Sequence, residues 1–187
     1  GIPIEVPAMT VNRLCSSGMQ AIVSAAQMIK LGDCEVAVGG GVEVMSRAAF
    51  YAPAVRWGQK MGNVELLDGL NGALTDPFNN ILMGVTAENV AQRYGISRED
   101  QDAIALESQR RAANAIVQGY FRDQIVPAEL ATRKGTTLFD TDEYVRTDAT
   151  LEDFTKLKPV FQRDGGTVTA GNSSGINDGA SAMVLAS

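Results

Sequence analysis

The sequence predicts an α/β fold in which a parallel-sheet core is interrupted by a long inserted segment. Three observations carry this. A strand-like run, an apolar helix and a second strand-like run follow one another within residues 8–38, the order of a βαβ unit. Residues 46–175 lose that pattern and bring their own helices and turn-rich stretches. Residues 176–187 return to small and apolar side chains, as a buried strand does. The expected division is therefore 1–45 for the core, 46–175 for the insertion and 176–187 for a final core strand.

The elements are justified in order. Ala8-Met9-Thr10-Val11-Asn12-Arg13-Leu14 reads as a short strand that ends at Cys15. From Ser16 to Leu31 the apolar residues Met19, Ala21, Ile22, Val23, Ala25, Ala26, Met28 and Ile29 cover nearly every face, which predicts a buried helix. Gly32-Asp33 stops it. Glu35-Val36-Ala37-Val38 is a brief strand, closed by Gly39-Gly40-Gly41. A helix is expected from about Thr86 to Tyr94, ended by Gly95. A second follows the capping box Ser97-Arg98-Glu99-Asp100 and runs to Gly119. On it Ala105, Ala112 and Ile116 share a stripe, and Arg98, Glu99, Gln109 and Arg110 are expected to be solvated. Residues 124–130 and 137–146 read as short strands. Thr150-Leu151-Glu152-Asp153 opens a short helix bounded by Pro159.

Composition narrows the function. The chain has 187 residues, 45% hydrophobic and 20% charged, which suits a folded domain and excludes general disorder. A net charge of −6 argues against nucleic acid or an anionic membrane as the partner. No apolar run is long enough to span a bilayer. Two cysteines make no disulfide framework, so a cytoplasmic compartment is expected. There is no histidine. A His metal site, a Ser-His-Asp triad and a Cys-His dyad are excluded within this chain. A general base must then be a carboxylate or amine, or lie on other residues. The chain opens at Gly1-Ile2-Pro3 without Met and stops in the apolar run Ala182–Ser187, so it is expected to be an internal fragment.

Cys15 is the strongest chemical feature. It stands where a strand hands over to a helix, where unpaired N–H groups and the helix dipole favour a thiolate nucleophile. The alternative is a structural cysteine. Gly18, one turn in, permits close backbone approach. Cys34, between Asp33 and Glu35, is expected to be a small core residue. Gly39-Gly40-Gly41 completes no phosphate-binding pattern and is expected to serve tight backbone packing at a strand end. Asp140-Thr141-Asp142 begins like a calcium loop but has Val145 and Leu151 where Gly and Glu are required. Asn172-Ser173-Ser174 matches a glycosylation pattern only incidentally. Arg133, Lys134, Arg146, Lys156 and Lys158 are interleaved with acids and read either as a solvated surface or as a site of anion capture.

Longer motifs go further. Val11-Asn12-Arg13-Leu14-Cys15-Ser16-Ser17-Gly18-Met19-Gln20-Ala21-Ile22 resembles the acyl-enzyme signature of the thiolases. The likeness continues at Val38–Ser46, Met83–Ala91, Ser97–Asp102, Lys156–Pro159 and Gly166–Gly179. Ala54–Gly58 and Asp140–Glu143 look most like bacterial β-ketothiolases and acetyl-CoA acetyltransferases. The resemblance implies a layered α/β fold whose N-terminal half carries an inserted loop domain. It also implies reversible thiolysis and Claisen condensation of acyl-CoA thioesters, with coenzyme A as substrate and no further cofactor or metal. Cys15 matches the acyl-accepting nucleophile. Leu74, Met83, Leu157, Phe161 and Ala170 match positions lining the pantetheine and adenine path, Arg146 one beside the nucleotide, and Ser174 one that bonds the pantetheine. A homodimer or homotetramer is implied.

Departures accompany the likeness. Leu82 stands where many members have a histidine, and Asp153 where some have a serine facing CoA. The Asn-Glu-Ala-Phe segment, the Gly-His-Pro histidine and the second cysteine of the family are not in this sequence. Two other readings are a related ketoacyl-synthase-type condensing enzyme and a non-catalytic CoA-binding or oligomerisation module. The Gly-Val-Thr-Ala-Glu-Asn-Val motif argues against the first.

Overall fold

The computed structural model describes residues 1–187, which form two units: Gly1–Thr75 with Ile176–Ser187, and Asp76–Gly175. In the first unit, helix α1 (Ser17–Leu31) closes at Gly32, whose φ of 80° lets the chain turn out of the helix. Strand β1 (Val36–Val44) follows. The chain also opens strand pairs further on: β2 (Phe50–Tyr51) runs antiparallel to β3 (Leu67–Asp68). Helix α2 (Gly69–Ala73) is capped by Asp68, which accepts from Leu70 N–H at 2.9 Å. The short strand β4 (Thr75–Asp76) lies at the division.

The second unit opens with β5 (Ile81–Leu82), α3 (Met83–Tyr94) and α4 (Arg98–Gln118). Gly95 and Gly119, at φ 65° and 67°, end the two helices as expected. The Ser97–Asp100 capping box is formed in both directions. β6 (Ala128–Thr132) and β7 (Gly135–Phe139) make an antiparallel hairpin, and α5 (Leu151–Thr155) is a single capped turn. Ala91, Leu106, Phe154 and Val168 are buried here together with three polar residues, Glu88, Asp102 and Thr169.

The final strand, β8 (Asp178–Ala186), belongs to the first unit and pairs antiparallel with β1, from Val36 opposite Ala186 to Val44 opposite Asp178. This corrects the expected parallel pairing. The α/β class stands, but residues 8–14 form no strand and show only an isolated bridge between Arg13 and Cys15. An apolar run reports burial and not direction, and a strand exists only where another segment offers it a ladder.

β1 also runs straight through Gly39-Gly40-Gly41 rather than stopping before them. The tight packing expected of these glycines is present, but in mid-strand. A Cβ on Gly39 would lie 3.0 Å from the Ile22 Cα, and one on Gly41 3.2 Å from the Gly18 Cα. Both glycines thus let α1 rest on the strand's backbone. α1 turns Ala21, Ile22, Ala25 and Ile29 inward, while Met19 and Leu31 are 73% and 79% exposed. The expectation of burial on every face is not met, because one two-stranded ribbon can cover one side of a helix only. The other face of that ribbon leaves Val36, Val38, Val42 and Val184 exposed.

Two further boundaries shift. α3 starts a turn earlier than expected, at Met83. β7 ends at Phe139, after which Asp142 accepts the Tyr144 N–H at 2.9 Å and turns the chain. Arg98 and Gln109 are half-buried rather than fully solvated. Arg98 pairs with Asp102 at 2.7 Å and Gln109 accepts a backbone N–H from Arg146. Cys34 is half-buried.

Candidate active site

Cys15 is exposed and lies one residue before the Ser16 that precedes α1. The turn presenting it is strained. Leu14 has φ 50°, a left-handed conformation that disfavours a residue with a branched apolar side chain. Short hydrogen bonds hold it there. Asn12 Oδ1 accepts the Leu14 N–H at 2.9 Å, Ser17 Oγ accepts the Arg13 N–H at 2.8 Å, and Ser17 Oγ–H donates to the Leu14 carbonyl at 2.7 Å. Arg13 reaches over the first turn to Gln20 Oε1 at 2.7 Å. Asn12, Ser17 and Gln20 therefore shape the turn. Their signal in the sequence was only their place beside the cysteine, since a positive φ at Leu14 is not encoded by its side chain. The chain supplies no histidine to this or any other site.

Of the positions matched to coenzyme A, Leu74 belongs to the first unit, with Cys15. Met83, Arg146, Leu157, Phe161, Ala170 and Ser174 belong to the second. Met83, Leu157 and Phe161 are 43%, 36% and 36% exposed, so each offers apolar surface to a ligand. The Phe161 ring lies against Gly84, where any Cβ would run into it. Gly171 does the same for Leu157 and Phe154, whose side-chain carbons would stand 2.6 and 3.0 Å from a Cβ there. Two glycines thus set the apolar wall beside Met83 and Ala170. Arg146 keeps its side chain exposed while its N–H is fixed on Gln109 Oε1 at 2.7 Å. A charged group on a fixed backbone suits recognition of an anion.

Asp153 is turned away from ligand duty. Its carboxylate accepts from Thr150 Oγ1–H at 2.6 Å and Thr150 N–H at 2.9 Å, closing a capping box on α5. These bonds, the hydroxyl's first, hold its pKa below the usual carboxylate range, with Lys156 adding to the effect.

Two carboxylates that shape this region, Glu88 and Asp102, stand in the sequence inside the motifs Met83–Ala91 and Ser97–Asp102 but carry no assigned role there. Glu88 on α3 is buried and accepts from Val168 N–H at 2.9 Å, Thr167 N–H at 2.9 Å and Thr167 Oγ1–H at 2.8 Å. Burial pushes its pKa up, and the donors from Val168 and Thr167 together outweigh that, leaving it lowered. Asp102 on α4 is 1% exposed and receives Arg98 Nε at 2.7 Å and Asn172 Nδ2 at 3.0 Å. No set of three His, Cys, Asp or Glu side chains is gathered to hold a metal ion. No helix is long and apolar enough to cross a membrane.

Known proteins share both sequence and fold with the whole of this chain. A family model described as "Thiolase, N-terminal domain" matches residues 1–187. A β-ketothiolase of Cupriavidus necator is 63% identical over 185 residues, 99% of this chain and 47% of that protein. An acetyl-CoA acetyltransferase of Chromobacterium violaceum is 51% identical over 189 residues, with 100% and 48% covered. The crystal structure of human mitochondrial 3-ketoacyl-CoA thiolase superposes with a TM-score of 0.92 at 48% identity, covering 100% of this chain and 47% of that one. A structure of human mitochondrial 3-ketoacyl-CoA thiolase in complex with CoA superposes at 0.89 with 46% identity, covering 100% and 46%. The chain spans about half the length of the curated relatives it matches.

Proposed function

The chain belongs to the thiolase family, and on that premise we propose that it is the nucleophile-bearing part of an acyl-CoA acyltransferase. The reaction is thiolysis of a 3-ketoacyl-CoA by coenzyme A and, in reverse, Claisen condensation of two acyl-CoA molecules. The observation that carries this reading is Cys15, exposed on a strained turn directly before a helix.

In this reading the Cys15 thiolate attacks the C3 carbonyl carbon of the ketoacyl-CoA. The C2–C3 bond breaks and its electron pair stays on C2, which takes up a proton as acetyl-CoA leaves. The acyl group remains on Sγ as a thioester. The thiolate of coenzyme A then attacks that carbonyl, and Cys15 departs as thiolate. A sulfur nucleophile serves both steps, because a thiolate attacks well and leaves well. The proton transfers are assigned to groups outside this chain, in keeping with its lack of histidine. On this reading the isolated chain does not turn over.

Coenzyme A is assigned to Leu74, Met83, Leu157, Phe161 and Ala170 along its apolar length, Ser174 at the pantetheine and Arg146 beside the nucleotide. That a human relative's structure is in complex with CoA supports CoA as the ligand. The exposed ring of Phe161 on Gly84 and the exposed Arg146 support the placing of these residues along it. We also assign the protein to a homodimer or homotetramer in the cytoplasm. The uncovered valines of the β1–β8 ribbon support assembly, and two free cysteines suit a reducing compartment.

The test uses the full-length protein that contains this chain. Incubation with acetyl-CoA should add one acetyl group to the intact mass, and Cys15→Ala should abolish the adduct while Cys34→Ala keeps it. CoA binding without any adduct on the unaltered protein would favour a non-catalytic module instead.

A further inference from the structure

Residues 166–172 have almost no backbone ladder of their own. The Val160 N–H to Val168 carbonyl bond, 3.0 Å long, ties this segment to a neighbour by main chain. The rest of the restraint comes from side chains. Glu88 takes three donors from Thr167 and Val168. Asn172 acts as the hub: Oδ1 accepts the Thr169 N–H at 2.8 Å, and Nδ2 donates to the Thr167 carbonyl at 2.9 Å and to Asp102 Oδ1 at 3.0 Å. The second oxygen of Asp102 holds Arg98, whose Nη2 donates to the carbonyls of Phe154 at 2.7 Å and Leu157 at 3.0 Å.

One buried carboxylate, Asp102, therefore fixes two separate stretches of chain at once. Through Arg98 it sets the turn that carries Leu157. Through Asn172 it sets the loop that carries Ala170 and leads to Ser174. No buried side-chain nitrogen or oxygen lacks a partner, and a fully satisfied buried network specifies one geometry. This degree of restraint exceeds what packing alone requires, since a buried ion pair is a poor source of net stability.

We propose that Asp102 and Asn172 are positioning residues for coenzyme A: their bond aligns the Leu157 turn with the Ala170–Ser174 loop. This rests on the assignment of those residues to the CoA path. They touch no substrate and act through the segments they hold.

The test compares steady-state kinetics of four variants of the full-length protein. Asn172→Asp sets two carboxylates against each other and should raise the KM for CoA about tenfold or more, with kcat changed little. Adding Asp102→Asn restores a donor–acceptor pair between the two positions and should recover part of the loss, the remainder reflecting the bond to the Thr167 carbonyl that a carboxylate at 172 cannot make. A merely structural role would lower the folded fraction, and hence the apparent kcat, without moving KM. Glu88→Gln probes the same loop from α3 and should also raise KM, which keeps the test open if Asn172→Asp does not fold. Phe161→Ala separates the two levels of inference. If it raises KM and neither loop variant does, the positioning role is wrong and the CoA path stands. If none of the variants moves KM, the CoA path itself is wrong.

Discussion

Ser46 and Asp178 meet across 132 positions of sequence, the Ser46 N–H donating to Asp178 Oδ1 at 2.9 Å and its Oγ–H to Oδ2 at 2.6 Å. Asp178 is the first residue of β8 and pairs with Val44, the last of β1. The pair therefore pins one end of the ribbon on which α1 rests.

This pin is pH-dependent. The Ser46 hydroxyl, then its backbone N–H, hold the Asp178 pKa below the usual carboxylate range. A carboxyl lowered on folding contributes stability above its unfolded pKa and loses it as pH falls through the folded value. NMR titration should show Asp178 ionising below the usual range, and Ser46→Ala should move it back up. Amide exchange across β8 should quicken in the same variant. An Asp178 that titrates identically in both proteins would remove the hydroxyl from this account.

Glu88 follows the same sign for a different reason, since three donors overcome its burial. Its stabilisation is present at neutral pH and fades in acid as the folded carboxylate is protonated. Glu88→Gln should unfold at lower denaturant concentration at pH 7, at a cost of about 1–3 kcal/mol. The gap from the unaltered protein should narrow below the carboxylate range. Denaturant titrations at a series of pH values check this, and a pH-independent gap would contradict it.

Gly84 sits in the first turn of α3 beneath the Phe161 ring. In an open helix, Gly→Ala gains roughly 0.5–1 kcal/mol. Here the new methyl displaces the ring, and overpacking costs about 1–3 kcal/mol. The second effect should win, so Gly84→Ala should lower Tm and raise the KM for CoA together. A higher Tm with unchanged KM would show that Phe161 does not depend on this glycine.

The two cysteines serve as controls for each other. Cys15 is exposed and Cys34 half-buried. Limited alkylation with iodoacetamide at neutral pH, followed by peptide mapping, should label Cys15 first. Preferential labelling of Cys34 would displace Cys15 from the nucleophile's role.

What the sequence determined by itself lies within reach of a few residues. Ser97 with Asp100, Thr150 with Asp153, and the glycines at 32, 95 and 119 mark helix ends correctly, because a cap is made by neighbours in sequence. The motif around Cys15 identified the family for the same reason: its residues are contiguous. The tertiary structure decided what depends on distant partners. β1 finds β8 more than a hundred residues away and runs antiparallel to it, a direction that no apolar run can state. Arg98 and Gln109 looked like solvent-facing helix positions until Phe154, Leu157 and Arg146 arrived to use them. Asp102, a charged residue in the second turn of α4, gave no local sign of burial, because the groups that neutralise and satisfy it include Asn172, 70 residues on. A buried charge becomes intelligible only when its partners are in place.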